Sequence, residues 1–252
     1  MGVFWKEWAA PTIVLAMLPG VAGAAETSVH LASLDWPPYS SEAAPHGASE
    51  AVARQAFAAM GYSLQTDFMP WQRATTVGKT DKTYFGYYPE YYSTDLTDCL
   101  FSDSMGNSPL GLVERKDANL VGKSLDDLKT VTIGTVSGYV NTAEFDTRAK
   151  DGRISVEEAD DDITNLRKVA AGRIPAAVID SNVMAYYLAS DADLKAQRGA
   201  LVFDGSAFEN KTLHVCFRKD DEGKKMAEAF NQGLKKIDVK AIMDAYLKEN
   251  LK

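Results

Sequence analysis

Six aromatic residues fall within nine positions: Tyr84, Phe85, Tyr87, Tyr88, Tyr91 and Tyr92. Ring faces lining a cleft can stack on planar groups or sugars, or cage a cation. The same rings can equally fill a core. Phe85 and Tyr87 are expected to pack. Tyr88 and Tyr91, at the expected strand end, are open to either role. Trp36 and Tyr39 flank Pro37-Pro38. A rigid turn presenting rings makes a ligand wall or a lid over the core. Trp71 and Arg73 begin a helix near the same edge, where Arg73 is a spare cation for an anionic group or a solvated surface charge. Asp180 ends a strand and precedes a helix, so it can hold a ligand amine or cap that helix. Ser137-Gly138-Tyr139 lies between a strand and a helix, where unpaired backbone N–H groups would make an anion site.

Catalytic chemistry has little support. His214 and Cys216 lie two apart on an expected strand and so share a face. A Cys–His nucleophile needs a third, orienting group, and none is evident. No G-x-S-x-G, phosphate loop or zinc pattern occurs. His30, His46 and His214 are scattered. No cofactor or metal is expected.

Strands and helices alternate along the chain. Val29–Leu34 reads as a strand stopped by Trp36-Pro37-Pro38. Ser49 is expected to cap a helix through Met60, ended by Gly61. Tyr62–Phe68 alternates like a half-buried strand. Trp71–Val77 reads as a short helix, and Thr83–Tyr88 and Leu110–Arg115 as strands. In the second half, Ser124 starts a short helix with Asp126 and Asp127 in its first turn. Val131–Val136 is a strand, and Gly138 is expected to open the next helix. Ile163, Leu166, Val169 and Ala170 mark a helical face closed by Gly172. Ala176–Ile179 is a strand ending at Asp180, and Ser181 starts a helix through Leu188. Thr212–Phe217 is a strand, followed by helices over Glu222–Ile237 and Val239–Leu247. This rhythm predicts α/β units with mostly parallel sheets, whose ligands sit beyond strand carboxyl ends.

Location is written in the first residues. An N-region with Lys6 and Glu7 precedes an apolar run, Thr12–Val21, then Ala22-Gly23-Ala24-Ala25-Glu26. That order predicts a signal peptide over residues 1–25 and export to the periplasm. The run is short for a membrane span, which takes about 20 apolar residues. The formal net charge is −8. An acidic chain repels phosphate backbones, so nucleic acid is not an expected partner.

Assembled in order, several of these segments resemble a periplasmic solute-binding protein of ABC importers, in the family 3 group that includes polar amino-acid binders. The landmarks are Trp36-Pro37-Pro38-Tyr39, Pro70-Trp71-Gln72-Arg73-Ala74 and Phe101-Ser102-Asp103. Gly111-Leu112-Val113-Glu114-Arg115-Lys116, Ser124 to Lys129 and Ile133 to Tyr139 follow, then Leu166–Ile174, Asp180 and Val215–Lys219. The resemblance implies a type II periplasmic-binding fold of two lobes. Each lobe would be a mostly parallel sheet flanked by helices, joined by two crossing strands. Lobe one would take residues 26–109 and 213–252, and lobe two 110–212. It implies a monomer that carries a small polar solute to a membrane ABC permease. A lyase or dehydratase on the same scaffold and an accessory binding protein are the alternatives. Residue types, strand ends and the resemblance together give the expected ligand set: Trp36, Tyr39, Trp71, Arg73, Tyr88, Tyr91, Ser108, Gly138, Tyr139 and Asp180. Amino-acid binders of the family carry Thr-Pro-Glu-Arg where this chain reads Tyr88-Pro89-Glu90-Tyr91. Tyr91 thus replaces an arginine that would grip an α-carboxylate. A cationic or amine ligand follows as the expectation. Cys99 and Cys216 both fall in lobe one near the crossings, and an exported protein meets an oxidising compartment, so they are expected to form a disulfide.

Overall fold

The computed structural model describes residues 1–3, 27–120 and 124–251. Apart from residues 1–3, the expected signal peptide lies outside the described residues. Among the described residues no helix is long and apolar enough to cross a membrane.

The first lobe is built on a six-stranded sheet. Its strands are β1 (Thr27–Ser33), β2 (Tyr62–Phe68), β3 (Gly86–Tyr91), β4 (Cys99–Phe101), the short β5 (Asn107–Ser108) and β11 (Lys211–Arg218). The order is β2-β1-β3-β11-β4, with β5 paired to one end of β11. The second lobe has five strands: β6 (Leu110–Arg115), β7 (Thr132–Val136), β8 (Ser155–Ala159), β9 (Ala176–Asp180) and β10 (Leu201–Asp204), in the order β10-β6-β9-β7-β8. In the first lobe β11 runs against both β3 and β4, and in the second β6 runs against both β9 and β10. These reversed strands are the ones that carry the chain across. The chain enters lobe two at Pro109 and returns between β10 and β11. Their reversal follows from topology: a strand arriving from the neighbouring lobe points away from the strands that began at the far edge.

Helices cover the sheets. α1 (Ala48–Ala58), α2 (Trp71–Thr80), α7 (Asp221–Leu234) and α8 (Val239–Asn250) serve the first lobe. α3 (Ala143–Lys150), α4 (Asp162–Ala170), α5 (Ser181–Ser190) and α6 (Ala192–Gln197) serve the second. Each lobe buries an apolar core, with Phe57, Phe217 and Phe230 packed ring on ring under α1 and α7.

Three local expectations are corrected. Ser49 does not cap α1. The N-cap is Gly47, and the free N–H groups of Ala48 and Ser49 instead meet the carbonyls of Pro38 and Tyr39. This ties the Trp36–Tyr39 turn to a helix end. Gly47 has φ 114°, and a Cβ there would lie 2.3 Å from the Tyr39 carbonyl oxygen, so only glycine fits. The strand expected over Thr83–Tyr88 is shifted to Gly86–Tyr91 and runs through Pro89. Between the pairs Tyr87↔Cys216 and Glu90↔His214, two residues of β3 oppose one of β11. This bulge accommodates a residue with no N–H and re-aims the side chains after it. Finally, α3 begins at Ala143, capped by Thr142, and not at Gly138.

Cys99 and Cys216 are joined, with Cα atoms 5.3 Å apart and 117 positions between them in sequence. The bond links the edge strand β4 to β11. Closing so long a loop in the unfolded chain gives an entropic stabilisation of about 4–5 kcal/mol, less any native strain. Thiol titration of the unreduced, denatured protein is expected to find no free thiol in Cys99 and Cys216. Replacing both by serine is expected to lower unfolding free energy by several kcal/mol in denaturant titrations. Two titratable thiols would refute the bond.

Candidate functional site

The facing surfaces of the two lobes meet through directed hydrogen bonds. Asp180, the last residue of β9, lies at their centre and is buried. Its Oδ1 accepts the N–H groups of Asn182 (2.6 Å) and Val183 (2.9 Å), capping α5. Its Oδ2 accepts the hydroxyls of Tyr39 (2.9 Å) and Ser108 (2.5 Å). The Ser108 hydroxyl hydrogen is committed to its bond with Asp180, so in its 2.5 Å contact with Tyr91 the tyrosine donates. Asn182 Nδ2 in turn donates to the Tyr39 oxygen at 2.8 Å. Both roles weighed for Asp180 are therefore joined: it caps the helix with one oxygen and gathers cleft hydroxyls with the other. A carboxylate offers about four acceptor positions, and here four donors fill them.

Around this node three more bonds cross the cleft. The Trp36 indole donates to Asp162 Oδ2 at 3.0 Å. The Trp71 indole donates to the Gly138 carbonyl at 3.1 Å, and Gln72 Nε2 to Ser137 Oγ at 2.9 Å. Rings occupy the space between. Trp36 stacks on Tyr39 at 4.7 Å, and meets Tyr91 at 6.0 Å and Tyr139 at 6.3 Å edge-on. Trp71 meets Tyr139 edge-on at 6.2 Å. Such edge-to-face pairs place positive ring edges on negative ring faces. The space left is a cavity of about 20 Å³, walled by Trp36, Trp71, Tyr91 and Tyr139 with Glu90 as the charged member of its lining. That is room for about one water.

The structure thus brings Trp36, Tyr39, Trp71, Tyr91, Ser108, Gly138, Tyr139 and Asp180 to one cleft. Tyr88 and Arg73 lie elsewhere. Tyr88 is fully buried on the other face of β3, its hydroxyl 2.9 Å from Thr66 Oγ1. Arg73 is exposed, and its neighbour Gln72 makes the contact across the cleft. Gly138 takes part through its carbonyl. The anion site expected around it is not built: Ser137 N–H donates to the Ala159 carbonyl and Tyr139 N–H to that of Val136. Gly138 itself has φ 79°, a turn conformation suited to glycine. Sequence reading placed no site role on Asp162, Asn182 or Gln72. Asn182 could have been found from Asp180, since the residue after a helix start faces back over its cap. Asp162 follows Asp160 and Asp161, which obscured which acid turns inward.

His214 and Cys216 form no nucleophilic pair. Cys216 is in the disulfide, and the His214 ring nitrogens meet the Ser102 carbonyl (2.8 Å) and Thr212 Oγ1 (2.7 Å). Burial pushes the His214 pKa down, so the ring is neutral.

Electrostatically the cleft gathers three buried carboxyls, with Lys79 and Lys211 acting on Glu90 from beside it. Burial raises Glu90 to about 7, against the opposing hydrogen bonds of Tyr91 N–H and the Tyr87 hydroxyl. Burial raises Asp162 to about 7 and Asp180 to about 6; Trp36 pulls the first back, and Ser108 leads the groups that pull back the second. Burial also holds Tyr39, Tyr91 and Tyr139 well above the usual tyrosine range, so they remain donors.

Stability follows by linkage. A carboxyl whose folded pKa exceeds its unfolded value binds more protons when folded, so stability falls as pH rises between the two values. For Glu90 and Asp162 the window runs from their ordinary carboxyl range up to about 7. Unfolding free energy is expected to drop across it, and Glu90→Gln to flatten the drop and stabilise the protein at pH 8 by ~2 kcal/mol. Denaturant titrations at pH 5 and pH 8 check this; equal slopes for both proteins would contradict it.

No family model matches the chain. The chain is similar to the arginine-binding extracellular protein ArtP of Bacillus subtilis, 25 % identical over 75 % of this chain and 70 % of that protein. Among solved structures, an ancestral arginine-binding protein bound to arginine superposes with TM-score 0.73 at 17 % identity, over 90 % of this chain and 99 % of that one. A histidine kinase sensor domain with similarity to periplasmic binding proteins gives 0.75 at 16 % identity, over 90 % and 96 %. The chain has the type II periplasmic-binding fold, two α/β lobes about a cleft, and its likenesses are to the amino-acid-binding proteins of solute-binding family 3.

Proposed function

We propose that this protein is a periplasmic solute-binding protein that takes a small polar, amine-bearing solute into the cleft and delivers it to a membrane ABC permease. The observation that carries the reading is the cleft itself. Side chains from both lobes converge on Asp180 with hydrogen bonds whose donors and acceptors are fixed, and rings wall the rest. Such a surface recognises a solute by enclosing it, and closure about a hinge is the matching motion. The reversed strands β6 and β11 supply that hinge at Pro109 and in the return before Lys211. Similarity to a protein named as arginine-binding supports an amine-bearing solute. The expected leader supports export.

One observation favours a second reading, a lyase on the same scaffold. Glu90 and Asp162, both raised to about 7, have the pKa of a general acid or base. Against it, Asp162 is engaged by the Trp36 indole and Glu90 by Tyr87 and Tyr91. Neither is set beside a second group in a nucleophile or proton-relay geometry. Binding without turnover is the better-supported role.

A thermal-shift screen against amino acids, amines, organic acids and sugars tests the proposal. A true solute at 100 times its Kd is expected to add about 2.7 kcal/mol to stability. The solute recovered after incubation is expected to be chemically unchanged by mass spectrometry. No hit in any class would refute solute binding, and a product lighter by water or ammonia would favour the lyase.

A further inference from the structure

Two spaces meet at the cleft. The inner one is the water-sized cavity whose lining carries one ordinary charged residue, Glu90. The outer one is a groove of about 460 Å³ at the cleft mouth, and it shares the walls Leu34, Trp71 and Tyr139 with the inner cavity. Its lining includes Asp35, Glu42, Asp160 and Asp161 and no lysine or arginine.

Three acids compete for the role of inner anchor, and hydrogen-bond capacity decides between them. Asp180 has its acceptor positions filled by Tyr39, Ser108, Asn182 and Val183. Asp162 takes the Trp36 indole and does not line the inner cavity. Glu90 accepts two bonds, one on each oxygen, from the Tyr91 N–H (2.8 Å) and the Tyr87 hydroxyl (3.1 Å). Two of its roughly four acceptor positions remain. It is 4 % exposed, and the two lysines whose charge reaches it, Lys79 and Lys211, form their ion pairs with Asp98 and Glu209 instead. A carboxylate so buried is costly unless a cation joins it. The rings beside it wall the cavity nearly at right angles, Trp36 at 76° to Tyr91 and 81° to Tyr139, and Trp71 at 83° to Tyr139, with Lys211 Nζ 5.8 Å from the Tyr91 ring centroid. Aromatic walls and a carboxylate around a water-sized space suit a bare ammonium group. A trimethylated head is too large for about 20 Å³.

The outer groove sets the rest of the ligand. Four carboxylates with no basic partner in the lining repel an α-carboxylate and attract a second positive charge. Leu34, Trp71 and Tyr139, walls common to both spaces, are the apolar surface along which an alkyl chain would run.

We infer that the cleft binds a linear aliphatic diamine or polyamine, one primary ammonium in the ring box against Glu90 and the other in the acidic groove at the mouth. This rests on the solute-binding reading and narrows it. Glu90 is then the anchor, and Asp180 the residue that organises the walls.

Isothermal calorimetry on the purified full-length protein tests the inference, with 1,4-diaminobutane, n-butylamine, tetramethylammonium and L-arginine as probes. 1,4-Diaminobutane is expected to bind at least tenfold tighter than each of the other three. Glu90→Gln is expected to weaken diamine binding at least tenfold. Glu42→Gln combined with Asp160→Asn changes only exposed positions, so its fold is not at risk. It is expected to weaken the diamine severalfold and leave n-butylamine unaltered. The inference is overturned if the diamine does not bind, if tetramethylammonium or L-arginine binds as tightly, or if the exposed double variant treats diamine and monoamine alike. Should an amino acid or sugar from the broader screen bind while no amine does, solute binding stands and only the diamine assignment falls. Should nothing bind, both fall.

Discussion

The cleft is organised by one carboxylate, Asp180, and by the direction of the bonds it receives. It stands where β9 ends and α5 begins, so one oxygen is committed to the helix. The other draws in Tyr39 from the turn after β1 and Ser108 from the strand before the crossing. Those two settle the rest. Ser108 orients Tyr91, Tyr39 is held by Asn182, and Trp36 stacks on Tyr39. Backbone geometry supports the same node: Leu110 pairs with Asp180, and the Ser181 N–H meets the Pro109 carbonyl. The point where the chain changes lobes is thereby fixed directly beneath the acid. Losing a hydroxyl partner from such a buried charge costs more than an ordinary hydrogen bond, about 1.5–3 kcal/mol.

Closure has a definite energy scale. The bonds from Trp36, Tyr39, Trp71 and Gln72 to the second lobe each contribute roughly 1 kcal/mol net, because opening returns the groups to water. The buried rings add to this, and the excess of buried carboxylate subtracts from it. The balance leaves lobes that can part at modest cost. A solute with its own donors and charge can then compete for the same surfaces. A cation entering the box would also remove the penalty that burial places on Glu90, so binding and closure reinforce each other.

Much of this was legible in the sequence, for reasons that differ by residue. Alternating polarity located β2, and the apolar run before Asp180 located β9. The order of short segments pointed to two lobes, and Trp36, Tyr39, Tyr91, Ser108, Tyr139 and Asp180 were all singled out. Tyr88 was misread because the bulge at Pro89 is a property of pairing with β11, which local sequence does not encode. The helix expected at Gly138 failed because the turn there spends its N–H groups on neighbouring strands. β4, β5, β8 and β10 went unrecognised: they are short or largely polar, and they form only because a neighbouring strand offers a ladder. Glu90 enters the sequence reading only within Tyr88-Pro89-Glu90-Tyr91, and its place beside the cavity depends on the same bulge. Gln72 and Asn182 carry no sequence signal apart from the residues beside them.

The central claim is that a solute enters between the lobes and that the indoles of Trp36 and Trp71, each bonded across the cleft, sense it. Both N–H groups can be followed directly by nuclear magnetic resonance on protein labelled with ¹⁵N at tryptophan. During titration with a solute found by screening, the Trp36 and Trp71 indole resonances should move together and saturate at one affinity. If a solute binds by calorimetry while both resonances stay fixed, it is held somewhere other than this cleft, and the account is wrong.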